Sequence, residues 1–91
     1  MTFTDPAAER RIINRLRRAR GQLNGVIEAA ENGASCRDVI TQLSAVSAAL
    51  DRAGFAMIAT AMKDCLAEPD GVSRTDDITT EELEKLFLSL A

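Results

Sequence analysis

The chain has 91 residues, 11 Lys and Arg against 14 Asp and Glu, a formal charge of −3 and no histidine. A single core is marginal at this length, so association with further copies is expected before any motif is weighed. Phe3, Phe55 and Phe87 are the only aromatics, an all-α bundle composition, and with no CxxC, HExxH, glycine-rich phosphate loop or Ser-His-Asp set the ordinary enzyme classes have nothing to build on.

Met1 to Thr4 are expected to be loose. Asp5 before Pro6 reads as a helix start, because the carboxylate caps free amides and proline suits the first helical position. Helix one is predicted over about residues 6–32. Its seam, Ile12, Leu16, Ala19, Leu23, Val26, Ile27 and Ala30, recurs every three or four positions within about a 100° arc. Gly33 reads as a C-terminal cap, and the turn through Ser35 is so short that the next helix must run back antiparallel.

Ser35 with Asp38 resembles a capping box and opens helix two, over about residues 36–66. Its apolar seam runs from Cys36 through Val39, Leu43, Val46, Leu50, Ala53 and Ala61 to Cys65. Two long helices on a short turn make a thin hairpin whose stripes one partner face cannot cover, so a second hairpin is expected to close the bundle. Gly54 costs helix two about 1 kcal/mol relative to alanine and allows a bend or a close helix approach. Glu68-Pro69-Asp70-Gly71 begins a breaker and linker, residues 67–78. Thr79 and Glu82 then form another capping box for helix three, about residues 80–90, with Leu83, Leu86, Phe87 and Leu90 on one face. The whole is predicted to be a single helical domain, 1–91, without strands or repeats.

Charge is unevenly spread. Arg10, Arg11, Arg15, Arg17, Arg18 and Arg20 fall within eleven consecutive residues of an otherwise acidic chain, and local sign decides what a surface attracts. On the helical wheel Arg11, Arg15, Arg18 and Gln22 form a narrow stripe beside the seam, about 60° to 120° round from Ile12. Such a stripe on a rigid rod suits the phosphates of double-stranded DNA, each guanidinium offering a fork to phosphate or guanine, and Arg52 of helix two is a candidate to extend it. The competing reading is a solvated face balanced by Glu9 and Glu28. Like charges at four-residue spacing repel one another in the free helix, which favours a polyanionic partner, although no recognised major-groove module is visible.

The two cysteines are 29 residues apart. At about 100° per residue this is roughly eight turns plus 20°, so both sulfurs share a side of the helix, yet a rise of about 1.5 Å per residue separates them by roughly 43 Å. A disulfide within the chain is thus excluded. An antiparallel copy crossing near Leu50 and Asp51 would set Cys36 of one chain beside the partner's Cys65 at both ends. No 18-residue apolar run and no signal-like leader are visible, so a cytoplasmic location is expected, where two distant thiols are free, metal-binding or redox-active. Cys36, in the first turn beside Arg37, is the expected nucleophile and Cys65 the resolving thiol. The plain alternative is that both are small core residues. Cu(I) suits thiolates, but the turn before Cys65 offers only Ala61, which cannot coordinate.

Arg15-Leu16-Arg17-Arg18-Ala19-Arg20-Gly21-Gln22, Cys36, Asp38-Val39-Ile40-Thr41-Gln42-Leu43-Ser44-Ala45-Val46, Ala48-Ala49-Leu50-Asp51, Gly54 and Cys65 together resemble the CsoR/RcnR/FrmR family of transcriptional repressors over about residues 10–66. The resemblance implies an antiparallel-bundle dimer, a dimer-of-dimers homotetramer, and a repressor released from its operator by an inducer at an inter-subunit cysteine site. Arg15, Arg18, Gln22 and Arg52 match the family's DNA-binding positions. Copper-sensing members use Cys, His, Cys, and here Ala61 stands at the histidine position. The missing histidine most resembles the CstR branch, whose cysteines become linked across subunits by persulfide or polysulfide. The expected function is therefore a repressor sensing sulfane sulfur through Cys36 and Cys65 without a cofactor, with Cu(I) sensing through the same thiolates as the alternative. Glu81 and Glu82, which in copper sensors would be candidates to orient a metal ligand, have no evident metal duty here, and Arg20 and Ser47 depart from the family pattern.

Overall fold

The computed structural model describes residues 1–73 and 77–91. Three helices follow in order: α1, Pro6–Glu31, α2, Cys36–Leu66, and α3, Thr80–Leu90. Each starts where its cap dictates. The Asp5 carboxylate accepts from Ala7 N at 3.0 Å, Ser35 Oγ from Asp38 N at 3.1 Å and Thr79 Oγ1 from Glu82 N at 3.1 Å, and each of these bonds satisfies an amide that the helix leaves unpaired.

The α1–α2 turn is a Schellman closure. Gly33 takes a φ of 79°, a conformation open to glycine without a Cβ penalty, and this lets Ala34 N reach Ala29 O at 2.9 Å and Gly33 N reach Ala30 O at 3.3 Å. The result is an antiparallel hairpin that makes the molecule 55 × 25 × 13 Å. Beyond Leu66 the chain turns back through an isolated antiparallel bridge between Val72 and Thr79, and the middle of the expected linker, residues 74–76, lies outside the described residues. Within the turn Asp77 takes a φ of 52°.

The core is concentrated at the α3 end of the rod. Phe3, Ile12, Ala61, Cys65 and Leu83 are buried together, with Leu16, Met57, Ile58, Met62 and Ile78 packed around them. Removing such apolar surface from water is the main favourable term here, about 25 cal/mol per Å². Leu83 anchors α3, and Phe87 meets Phe55 of α2 with ring centroids 5.5 Å apart. Only Leu83 of the predicted α3 face is buried, whereas Leu86, Phe87 and Leu90 stay largely open.

Towards the α1–α2 turn the hairpin is too thin to bury its stripes. Leu23 and Ile27 of α1, with Leu43 and Leu50 of α2, are exposed although they lie on the predicted seams, and Ile40 is exposed as well. Ala19, Val26, Val46 and Ala53, which face across the hairpin, are the buried residues of this part.

Two expectations need correction. Met1 to Thr4 are not a loose tail, since Phe3 is buried against Ala61 and Cys65 and Thr4 donates through both N, at 3.2 Å, and Oγ1 to the Asp64 carboxylate. The second concerns the expected absence of an 18-residue apolar run, since α2 is by length and composition long and apolar enough to cross a bilayer.

Candidate nucleic-acid interface and dithiol site

The arginine stripe becomes a two-helix feature. Arg15, Arg18 and Gln22 from α1 meet Ala49 and Arg52 from α2 around a cleft of about 90 Å³ with no acidic lining residue. Ile12, Leu16 and Ala19 on the inner side of α1 fix this orientation by packing inwards, while Ala49 is short enough to leave room between the helices. Three guanidinium groups and one carboxamide on a helical hairpin suit the oxygens of a nucleic acid's phosphodiester backbone. Arg11 is placed elsewhere: it lines a separate cleft with Asp5, Thr60, Lys63 and Asp64.

The two sulfurs occupy opposite environments. Cys36 is the first residue of α2 and exposed, whereas Cys65 is fully buried. The Cys65 thiol donates to Ile78 O at 3.1 Å, and the same carbonyl accepts Ser73 N at 2.9 Å. Cys65 is thus a pin between the last turn of α2 and the strap leading into α3. Ala61, one turn before it, is buried and supplies no donor, and no group of three His, Cys, Asp or Glu side chains able to hold a metal occurs among the described residues. A soft ion such as Cu(I) suits the thiolates themselves, so a two-sulfur site needs sulfur from a second chain.

Asp64 also turns its carboxylate to structural use, accepting from Thr4. Glu82 belongs to the α3 cap, its Oε1 3.4 Å from the Thr79 hydroxyl, while Glu81 lines an apolar groove with Phe55, Met62 and Phe87. The enclosure of Cys65 by Phe3 and Ile78 was missed from sequence. Its one available signal was an aromatic residue among Thr2, Thr4 and Asp5.

The profile of the metal-sensitive transcriptional repressor family matches residues 8–89. The chain belongs to this family. Among individual proteins, it is similar to the copper-sensing transcriptional repressor CsoR of Mycobacterium ulcerans strain Agy99, 42% identical over 59 residues that cover 65% of this chain and 50% of the relative. The proteins of the same description from Mycobacterium tuberculosis H37Rv and Bacillus subtilis strain 168 are 38% identical over 61 residues (67% of this chain, 51% of the relative) and 35% identical over 57 residues (63% and 56%). The chain spans about half the length of these curated relatives. No solved structure matches it. Each of the three metal-sensitive repressor relatives is named for copper, and none of them for sulfane sulfur.

Proposed function

We propose that this member of the metal-sensitive repressor family is a cytoplasmic, DNA-binding transcriptional repressor whose inducer is Cu(I), taken up by Cys36 of one chain and the partner's Cys65. The observation that carries the DNA part is the convergence of Arg15, Arg18, Gln22 and Arg52 from two helices on one acid-free cleft. The copper part is supported by the names of the relatives and by the softness of thiolate donors. Exposed Leu23, Ile27, Leu43 and Leu50 support an antiparallel second copy, since a rod this thin leaves them in water. Pairs of such dimers would give the homotetramer.

In this reading the chain's own residues do three things. The arginines hold the operator backbone, with Gln22 beside them. Cys36, exposed at a helix start, makes first contact with the inducer. Cys65, buried and tied to Ile78 in the single chain, must leave that carbonyl to meet the partner's Cys36, and this carries the change into the α2–α3 strap. A bound ion would supply a soft-metal link between the two chains. Release follows only if the linked and unlinked packings differ in their affinity for DNA.

A second reading keeps the repressor and changes the inducer to sulfane sulfur. It is favoured by the absence of histidine from the whole chain and by buried Ala61 in the turn before Cys65. Here the two thiols are oxidised to a sulfur-bridged pair while a polysulfide is reduced to sulfide. Anaerobic titration against a strong Cu(I) chelator separates the readings. Stoichiometric competition, lost in Cys36→Ala and in Cys65→Ala, supports copper. No competition, together with a cross-linked dimer in the intact mass after polysulfide treatment, transfers the role to sulfur.

A further inference from the structure

The arginine cleft does not end at Gln22. The same glutamine, with Gly25 of α1 and Gln42 and Ala45 of α2, lines a second cleft of about 270 Å³ further along the hairpin. Because the helices are antiparallel, Arg15 and Arg52 stand near one end of this face and Gly25 and Gln42 near the other. Ten residues of helix separate Arg15 from Gly25, about 15 Å of rise, which is the length of four to five base-pair steps at about 3.4 Å each.

Gly25 has no duty in the chain's own packing. A Cβ built there meets no atom within 4 Å, and its backbone is helical, not left-handed. Glycine in a helix interior costs about 1 kcal/mol relative to alanine, and what it offers in return is close approach of another backbone. On the wheel Gly25 lies about 20° from Arg18 and about 80° from Arg15, so whatever approaches it also meets Arg18. A second copy centred on the arginine cleft would set Arg15, Arg18 and Arg52 against the same groups of its mate, whereas a polyanion would not. Glu28 and Asp38, one helical turn beyond Gly25 and Gln42, set the limit of the surface.

We infer that the Gln22–Gly25–Gln42 cleft seats the phosphate backbone of the same duplex that Arg15, Arg18 and Arg52 hold, with Gln42 donating through its carboxamide and Gly25 admitting the strand. The inference rests on the DNA-binding reading above and adds Gly25 and Gln42 to it. Carboxamides contact phosphate oxygens without releasing counterions, so they contribute affinity but no salt dependence.

The test is fluorescence anisotropy with a random-sequence 40-base-pair duplex at several salt concentrations, for the full chain and for Gln42→Ala, Gly25→Leu and Arg52→Ala. The expected result is a several-fold loss of affinity in Gln42→Ala and Gly25→Leu with the salt slope unchanged, against a loss in Arg52→Ala that also lowers the slope by about 1. Thermal melting of Gly25→Leu should be unchanged or raised, which separates blocked approach from misfolding. If Arg52→Ala weakens binding and the other two do not, this inference fails and the DNA reading stands. If the unaltered chain does not bind the duplex, the DNA reading itself fails. If Gly25→Leu instead lowers the mass of the assembly in sedimentation while duplex affinity holds, the cleft faces a second copy and the inference is overturned.

Discussion

The Cys65 thiol and the Ile78 carbonyl, 3.1 Å apart, tie the end of α2 to the strap that precedes α3. Cys65→Ala removes both the packing and the donor and should cost about 1–3 kcal/mol in urea unfolding, with faster amide exchange from Thr79 onward. Cys65→Ser, which keeps a donor, should leave α3 better protected than Cys65→Ala does. Cys36→Ala, at an exposed position, should stay within about 0.5 kcal/mol. The asymmetry bears on any inducer experiment, because a Cys65 variant changes the α3 docking as well as the sulfur.

Asp64 and Thr4 give a second prediction. Thr4→Val keeps the backbone bond to Asp64 but loses the hydroxyl donor, and should destabilise by about 1–2 kcal/mol. Asp64→Ala removes the acceptor of both bonds and should also loosen Phe3, read as increased protease cleavage before Pro6.

At Gly54 two effects oppose. Alanine would add about 1 kcal/mol of helix propensity, but its Cβ would lie 2.8 Å from Leu90 Cδ1. That atom ends a flexible side chain in the last turn of α3, so Gly54→Ala should melt within about 1 kcal/mol of the unaltered chain once Leu90 swings aside. Gly54→Leu leaves no such escape, and it should lift the C-terminal turn of α3, seen as lost amide protection at Phe87 to Leu90.

The helix boundaries were legible because Asp5, Ser35, Gly33 and Thr79 carry local chemistry that fixes them, and the structure starts and stops each helix within a residue or two of those caps. The seams were legible as sides of helices and not as buried surface. Leu43 and Leu50 are on the apolar side, yet burying them takes more than one thin hairpin, and no periodicity reports that. Arg11 lies only about 40° from Arg15 on the wheel, but a wheel does not show which part of α2 lies opposite. Arg11 lines a cleft with Lys63 and Asp64, whereas Arg15 shares one with Arg52. The Phe3 and Thr4 contacts reach across about sixty residues to Ala61 and Asp64, beyond any local signal.

The shared dithiol is tested most directly by mixing. Cys36→Ala and Cys65→Ala chains, each unable to complete a two-sulfur site, are titrated anaerobically with Cu(I) against a strong chelator, alone and after random subunit exchange. Half of the mixed dimers then carry one intact site, so the account predicts no competition by either variant alone and recovery of about a quarter of the unaltered capacity in the mixture. A mixture that holds no more copper than its components, beside an unaltered protein that competes fully, would show that the two sulfurs do not meet between chains.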